Sequence, residues 1–194
     1  MNNKGVLLIV SGPSGAGKGT ICNEIVRKYP DEYSLSVSAT SRAPRGEEKD
    51  GVEYFFKSRE EFEKLIAEDK LLEYACYVGN YYGTPKQWVT DKLEQGVNII
   101  LEIDLQGAFQ VSEKIPGTVL VFVMPPSMEE LEKRLRRRNT ETEAQILSRI
   151  ERAREELDYA DRYDYVITND DVEKSVDMLH NIAVSEKMKL FKEN

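Results

Sequence analysis

The chain has 194 residues and a formal net charge of −8, with 32% charged and 40% hydrophobic residues. This length suits one domain with a sizeable core, and the acidic balance argues against nucleic acid or an anionic membrane as a partner. We expect neither a membrane span, which needs roughly 20 apolar residues, nor a signal peptide. Cys22 and Cys76 show no metal spacing and no disulfide framework, so we predict a cytoplasmic protein.

The first part of the chain alternates a buried strand with a helix. Residues 5–10 predict a short aliphatic strand, and 18–29 predict a helix. SLSVSAT, residues 34–40, alternates like one half-exposed strand. The further segments up to residue 84 predict strands at VEYFF, LLEYACYV and Tyr81-Tyr82, with a helix at 59–69.

The second part returns to aliphatic strands separated by helices. The predicted strands are 97–104, 118–124 and YDYVIT. The predicted helices are 85–95, 105–114, 141–158 and 171–190, and a further helix is predicted from Met128 to a break at Asn139-Thr140. In the helix at 141–158 we expect an apolar stripe of Ala144, Leu147, Ile150, Ala153 and Leu157.

Strands alternating with helices predict an α/β fold, in which helices cover both faces of a parallel sheet. The middle of the chain departs from this rhythm, which indicates an inserted β-rich lobe at 34–84. The remaining core is predicted to comprise 1–33, 85–126 and 158–194, with a separate segment at 127–157.

The stretch SGPSGAGKGT, residues 11–20, lies between the first predicted strand and the first predicted helix. Such a loop binds phosphate, because its backbone N–H groups surround the oxygens and the helix N-terminus attracts negative charge. The pattern G-x-x-x-x-G-K of a P-loop matches at Gly12, Gly17 and Lys18, and Lys18 is expected to reach the outer phosphates of a nucleoside triphosphate. The residues predicted to bind the triphosphate are Gly12, Pro13, Ser14, Gly15, Ala16, Gly17, Lys18, Gly19 and Thr20.

Gly19 departs from the pattern, which has Ser or Thr after the lysine as a ligand of Mg²⁺. Either Thr20 takes over this contact, or the ion keeps more of its own water, as Mg²⁺ readily does. We expect Mg²⁺ as the cofactor.

Arginines are clustered in spite of the negative net charge. They stand at Arg42 and Arg45, at Arg134, Arg136, Arg137 and Arg138, and at Arg149, Arg152 and Arg154. The clusters predict small anions held in a cleft, and the alternative is solvated helix faces paired with glutamates. The chain lacks the Asn-Lys-x-Asp base reader of GTPases and the length of motor ATPases, which leaves a small kinase.

Six stretches in order resemble the motifs of the guanylate kinase family and cover nearly the whole chain. They are GPSGAGKGT, SVSATSRAPRGEEKDGVEYFF, LLEYACYVGNYYGTP, ILEIDLQG, RNTETEAQILSRI and ITNDD. The resemblance implies a P-loop kinase that transfers the γ-phosphoryl group of ATP to GMP, with dGMP expected as a further acceptor. It makes 34–84 the GMP-binding lobe and 127–157 a mobile lid.

The resemblance also assigns roles to individual residues. Arg42, Arg45, Tyr54 and Tyr82 are placed around the acceptor phosphate, where arginine offers bidentate donors. Glu73 matches the residue that accepts hydrogen bonds from N1–H and the amine of guanine, and Ser38 and Thr84 match hydroxyls near O6 and N7. Taken alone, Glu73 suits an outward-facing strand carboxylate, and the tyrosines suit core packing with surface arginines.

Further assignments concern the donor side and catalysis. Glu102 and Asp104 end a strand where carboxylates orient Mg²⁺ waters or the acceptor, with Asp104 favoured because the family usually has Asp-x-Asp. Asn169 matches a position near the adenine of ATP. The predicted catalytic residues are Lys18, Arg45 and the lid residues Arg134, Arg138 and Arg149, to which helical spacing adds Arg152.

Two other functions remain open at this point. A kinase-like interaction module would retain the fold as a peptide-binding scaffold, but such modules tend to lose the loop lysine, and here Lys18 is present. A kinase for AMP or a deoxynucleotide shares the Gly-Lys-Gly-Thr run, and Glu73 argues against AMP because adenine lacks both donors.

Overall fold

A five-stranded parallel sheet forms the centre of the computed structural model, which describes residues 4–137 and 142–189. Its strands in spatial order are β2 (Tyr33–Leu35), β7 (Asn98–Glu102), β1 (Leu7–Ser11), β8 (Val119–Met124) and β9 (Tyr165–Thr168). The sequence prediction of an α/β fold is therefore confirmed.

The central strands are continuous aliphatic runs because both faces of the sheet are covered. Leu8 and Val10 point into one core with Ile21, under α1 (Lys18–Lys28) and α7 (Val172–Met188). Ile9 points into a second core with Val111, under α3 (Lys86–Glu94) and α4 (Leu105–Lys114). In the described part of the chain, no helix is both long and apolar enough to cross a bilayer.

The inserted lobe contains a second, four-stranded sheet. Its strands in spatial order are β4 (Tyr54–Phe56), β3 (Ser38–Thr40), β6 (Asn80–Pro85) and β5 (Leu71–Tyr77). Helix α2 (Arg59–Ala67) begins with a capping box between Ser58 and Glu61. Its buried Phe62 packs with Ala39 and Leu71, so the lobe has a small core of its own.

The single strand predicted over 34–40 is wrong, because the structure has two strands there. Tyr33–Leu35 pairs with β7 in the central sheet, whereas Ser38–Thr40 pairs with β4 and β6 in the lobe. The alternating pattern persists through both strands, so it does not show that the hydrogen-bonding partners change between them.

Two helices, α5 (Met128–Arg137) and α6 (Glu143–Leu157), pack on each other, and a short 3-10 helix (Ala160–Arg162) follows. The residues of their shared core are Leu131, Leu135, Ile146, Ile150 and Ala153. The predicted stripe is partly wrong, since Leu147 is 55% exposed and Ile146 is buried in its place. Residues 144 and 147 lie off the face that packs on α5. The predicted break at Asn139-Thr140 and the predicted lid residue Arg138 lie outside the described residues.

Candidate active site

The phosphate loop connects the end of β1 to the start of α1, at the carboxyl edge of the sheet. Gly12, Gly15 and Gly17 have φ values of 134°, 93° and 94°, which L side chains rarely adopt. A Cβ atom on Gly12 would lie 2.0 Å from the carbonyl oxygen of Val123 in β8. The loop is therefore packed so closely against the neighbouring strand that only glycine fits there.

Lys18 is the first residue of α1, and its side chain turns back over the loop. Its Nζ donates to the carbonyl oxygens of Gly12 at 2.5 Å and Pro13 at 3.0 Å. The ammonium group therefore lies on the concave side of the loop, where the sequence predicts the phosphates of the donor.

One cavity of about 510 Å³ lies between the loop, the end of β7 and helix α6. Its lining includes Ser14, Lys18, Glu102, Asp104, Arg149 and Arg152. The structure thus brings two predicted carboxylates and two predicted arginines together around Lys18. The cavity is therefore lined by groups of both charges, as a bound phosphate chain and a cation require.

The two carboxylates at the end of β7 have different surroundings. Asp104 is the N-cap of α4, and its Oδ1 accepts from the Gly107 N–H at 2.9 Å. Glu102 lies beside Gly19, where an added Cβ atom would be 3.2 Å from Oε2 of Glu102. Position 19, where the P-loop pattern has Ser or Thr, therefore lies beside the carboxylate of Glu102.

Helix α6 already contacts the phosphate loop in this structure. The Nη1 atom of Arg149 donates to Oγ of Ser14 at 2.6 Å. Arg152 is 70% exposed and pairs with Glu156 at 2.9 Å within the same helix. Of Arg149 and Arg152, Arg149 is thus the one that donates to the loop.

A second cavity of about 330 Å³ lies on the other side of the loop, lined by Thr20, Arg134 and Asn169 among others. The Nη2 atom of Arg134 donates to the backbone oxygen of Asn169 at 2.9 Å, and the Asn169 side chain donates to Ala16 O at 2.8 Å. The structure therefore places Arg134 and Arg149 on opposite sides of the loop. Thr20 and Asp104, the two predicted Mg²⁺ contacts, line different cavities.

Three of the four residues predicted around the acceptor phosphate, Arg42, Tyr54 and Tyr82, meet in the lobe. The guanidinium of Arg42, a residue only 9% exposed, lies over the Tyr54 ring at 5.4 Å. The rings of Tyr54 and Tyr82 are 6.0 Å apart and nearly perpendicular. Hydrogen bonding to Glu48 and to the Tyr82 hydroxyl raises the pKa of Arg42. Arg45 has an exposed side chain in the turn that follows.

The residues predicted to recognise the base form a second group in the lobe. The buried Thr84 hydroxyl donates to Oε1 of Glu73 at 2.7 Å. Burial raises the pKa of the Glu73 carboxyl above its usual range, the nearby charge of Asp104 adds to this effect, and the Thr84 hydrogen bond opposes it. Ser38 lies on β3, in register with Tyr54 of β4. Glu73 therefore faces inwards, unlike the outward carboxylate that the strand alone suggests.

Across the described ranges, no group of three or more His, Cys, Asp or Glu side chains is arranged to hold a metal ion. Mg²⁺ usually binds through one or two carboxylates together with water and substrate phosphates. The carboxylates in the first cavity suit that mode of binding.

Two contacts of the site were not predicted from the sequence. Glu48 pairs with Arg42, and the buried hydroxyl of Ser175 donates to Oδ1 of Asn169 at 3.1 Å. Glu48 stands in an acidic loop beside Glu47, and nothing in the pattern separates the two. Ser175 reads as an ordinary helix residue, so its contact appears only when α7 is packed against the loop.

Comparisons with known proteins match nearly the whole chain. A family model described as guanylate kinase matches residues 4–186. The guanylate kinase of Caldanaerobacter subterraneus subsp. tengcongensis is 50% identical over 190 residues, which cover 98% of this chain and 92% of that protein. That of Halalkalibacterium halodurans is 52% identical over 186 residues, which cover 96% and 91%.

A solved structure of a guanylate kinase also matches nearly the whole chain. The guanylate kinase from Anaplasma phagocytophilum superposes with a TM-score of 0.71 at 38% identity, covering 96% of this chain and 88% of that one. The similarity therefore extends far beyond the phosphate loop, which many nucleotide-binding proteins share.

Proposed function

The chain belongs to the guanylate kinase family and is an enzyme of that kind, and we propose how its residues transfer the γ-phosphoryl group of ATP to GMP, giving ADP and GDP. The observation that carries this proposal is the cavity between the loop and α6, where Lys18, Arg149 and Asp104 meet. The acceptor lobe opens towards the same cavity, because Glu73 lies near Asp104 and the start of α4.

On the acceptor side, the lobe binds both ends of GMP. Arg42, Arg45, Tyr54 and Tyr82 hold the phosphate, and Glu73 accepts from N1–H and the exocyclic amine of guanine. Ser38 and Thr84 complete the contacts with the base. These contacts involve base and phosphate, so dGMP is included as an acceptor.

On the donor side, the loop N–H groups and Lys18 hold the phosphates of ATP. Asn169, fixed by its bonds to Ala16 and Ser175, is the residue proposed to lie near the adenine. Arg134 approaches the loop from this side, and Arg149 approaches it from the acceptor side. Positive groups thus surround the phosphoryl group from two directions.

Catalysis in this arrangement consists of alignment and charge neutralisation. Phosphoryl transfer needs little covalent help, and donors aimed at the developing charge lower its barrier. The lid segment 127–157 excludes water, so that ATP is not simply hydrolysed. The acceptor phosphate is already largely ionised, and no general base is assigned.

Mg²⁺ is the proposed cofactor, and the residues of the first cavity fit it. Glu102 and Asp104 are the carboxylates that would hold its water shell beside the phosphates, and Thr20 remains a candidate on the other side of the loop. When bound, the ion neutralises charge on the phosphate oxygens of ATP.

A coupled assay of ADP release tests the proposed function, with ATP, Mg²⁺ and either GMP or AMP. We expect rapid ADP formation with GMP and little with AMP, because only guanine presents two donors to Glu73. Equal turnover of the two acceptors would instead identify a different nucleoside monophosphate kinase. Tight binding of a peptide, together with no turnover of GMP and no binding of ATP, would identify an interaction module.

A further inference from the structure

We propose that Glu48 is a positioning residue of the acceptor site, which fixes the guanidinium of Arg42 so that one edge of it meets the phosphate of GMP. This inference rests on the proposed function, because it assigns the phosphate of GMP to Arg42. It adds an acidic residue to a site that otherwise attracts an anion.

The hydrogen bonds of Arg42 carry the inference. Its Nη1 donates to Oε2 of Glu48 at 2.9 Å and to Ala43 O at 2.7 Å, and its Nη2 donates to Oε1 of Glu48 at 3.0 Å. These bonds use both hydrogens of Nη1 and one of Nη2. Because a guanidinium has five N–H donors in a plane, the donors not used by Glu48 and Ala43 are Nε–H and the second Nη2–H. The Tyr82 hydroxyl, which also hydrogen-bonds to this guanidinium, is itself proposed to bind the same phosphate.

Those two donors lie on one edge of the plane and point the same way. Such an edge binds two oxygens of one phosphate in parallel, which is the bidentate geometry that makes arginine a specific phosphate ligand. Tyr54 and Phe56 lie 5.4 and 5.9 Å from the guanidinium carbon and restrict the tilt of the plane. Glu48 fixes the rotation within the plane.

Glu48 also organises the second predicted phosphate arginine. Its Oε2 accepts from the backbone N–H of Arg45 at 2.7 Å. One carboxylate thus closes the turn from Arg42 to Glu48 and sets where the Arg45 side chain begins. Hydrogen bonds from Arg42 hold the pKa of Glu48 below its usual value, so the carboxylate is ionised at neutral pH.

An opposite interpretation is that Glu48 imitates the phosphate and leaves when GMP binds. The anchor to the Arg45 N–H argues against this, because the carboxylate belongs to the turn itself and not only to Arg42. The two interpretations predict opposite changes in GMP affinity when Glu48 is substituted. Loss of a competitor strengthens GMP binding, and loss of a positioning group weakens it.

Glu48→Gln is the test, with Glu47→Gln as the matched control. Glu47 is the adjacent glutamate and is exposed. Binding of GMP and of guanosine, which has no phosphate, is measured by calorimetry or by competition, and KM for ATP is measured in the kinase assay. For Glu48→Gln we expect GMP affinity to fall at least about tenfold, with guanosine affinity and KM for ATP unchanged. Glu47→Gln should match the original chain throughout.

Three results would overturn the inference. GMP affinity that rises shows that Glu48 competes with the phosphate, and unchanged affinity shows that it has no role. Equal losses for GMP and guanosine show a general loss of lobe structure. The proposed function is judged separately, by whether the unsubstituted chain phosphorylates GMP in the same assay.

Discussion

At the scale of single residues, we propose that Glu73 decides the choice of acceptor base. The Thr84 hydroxyl donates to Oε1 of Glu73, and an ionised carboxylate has about four acceptor sites on its two oxygens, so both donors of a guanine edge can still be accepted. A buried group that loses its hydrogen-bonding partner costs about 1–3 kcal/mol, and more when it is charged. AMP would impose that cost, because adenine presents an acceptor at N1 and no amine at position 2.

We predict that Glu73→Gln raises KM for GMP by about one to two orders of magnitude and leaves KM for ATP unchanged. The reason is that an amide cannot accept both guanine donors as an ionised carboxylate does. Steady-state kinetics with each substrate varied in turn measure the effect, and Glu113→Gln, at an exposed position on α4, is the control. An unchanged preference for GMP over AMP would remove Glu73 from the base site.

The pH dependence of guanosine binding provides a second test of the role proposed for Glu73. Burial raises the pKa of Glu73, so the carboxyl takes up a proton at a higher pH than an exposed glutamate does. Recognition of guanine requires the ionised form, and affinity therefore falls as pH decreases through the raised pKa. Competition by guanosine, which carries no titrating phosphate, should show this loss in the original chain and not in Glu73→Gln.

The residues of the site were predictable to different degrees. The phosphate loop follows from its glycines and lysine alone, because their backbone requirements are visible in the sequence. The positions of Glu73, Arg42 and Tyr82 depended on resemblance to a family, since each is an ordinary strand or turn residue by pattern. Glu48 was not predicted, because a polar turn does not show which of its carboxylates reaches a neighbouring arginine.

At the scale of elements, Arg149 connects helix α6, part of the proposed lid, to the phosphate loop. Arg149 donates to Ser14, whereas Arg154 pairs with Glu151 on the exposed side of the same helix. The sequence predicted this helix but misplaced its apolar stripe. The buried face is set by the position of α5, and periodicity alone does not fix its rotation to within one residue.

We predict that Arg149→Lys lowers kcat about 100-fold or more and changes KM for GMP little. Lysine keeps the charge but loses the planar fork that spans Ser14 and the phosphates. Arg154→Lys is the matched control on the same helix and should have normal kinetics. A large rise in KM with an unchanged kcat would show that Arg149 binds substrate without stabilising the transition state.

At the scale of the whole molecule, the described residues form four buried clusters, which we propose to serve three units of the chain. The central sheet has its cores above and below, the lobe has a small core around Phe62, and the lid has a core of five residues around Leu131 and Ile150. We expect small, separate cores to open at a lower cost than the main core does, which would allow segment 127–157 to act as the proposed lid.

Hydrogen exchange in two variants with matched side-chain truncations tests whether the lid and the central sheet open separately. Ile150, which is 7% exposed in the lid core, is changed to alanine, and so is the fully buried Leu8 of the central sheet. Leu8→Ala should lower the free energy of unfolding by about 2–5 kcal/mol and speed the exchange of the most protected amides. Ile150→Ala should speed exchange within α5 and α6 while the sheet amides keep their protection, because the lid opens without unfolding the sheet. If Ile150→Ala instead accelerated exchange equally in β1 and β8, the lid and the central sheet would form one cooperative unit, and closure by an independent lid would be the wrong description of catalysis.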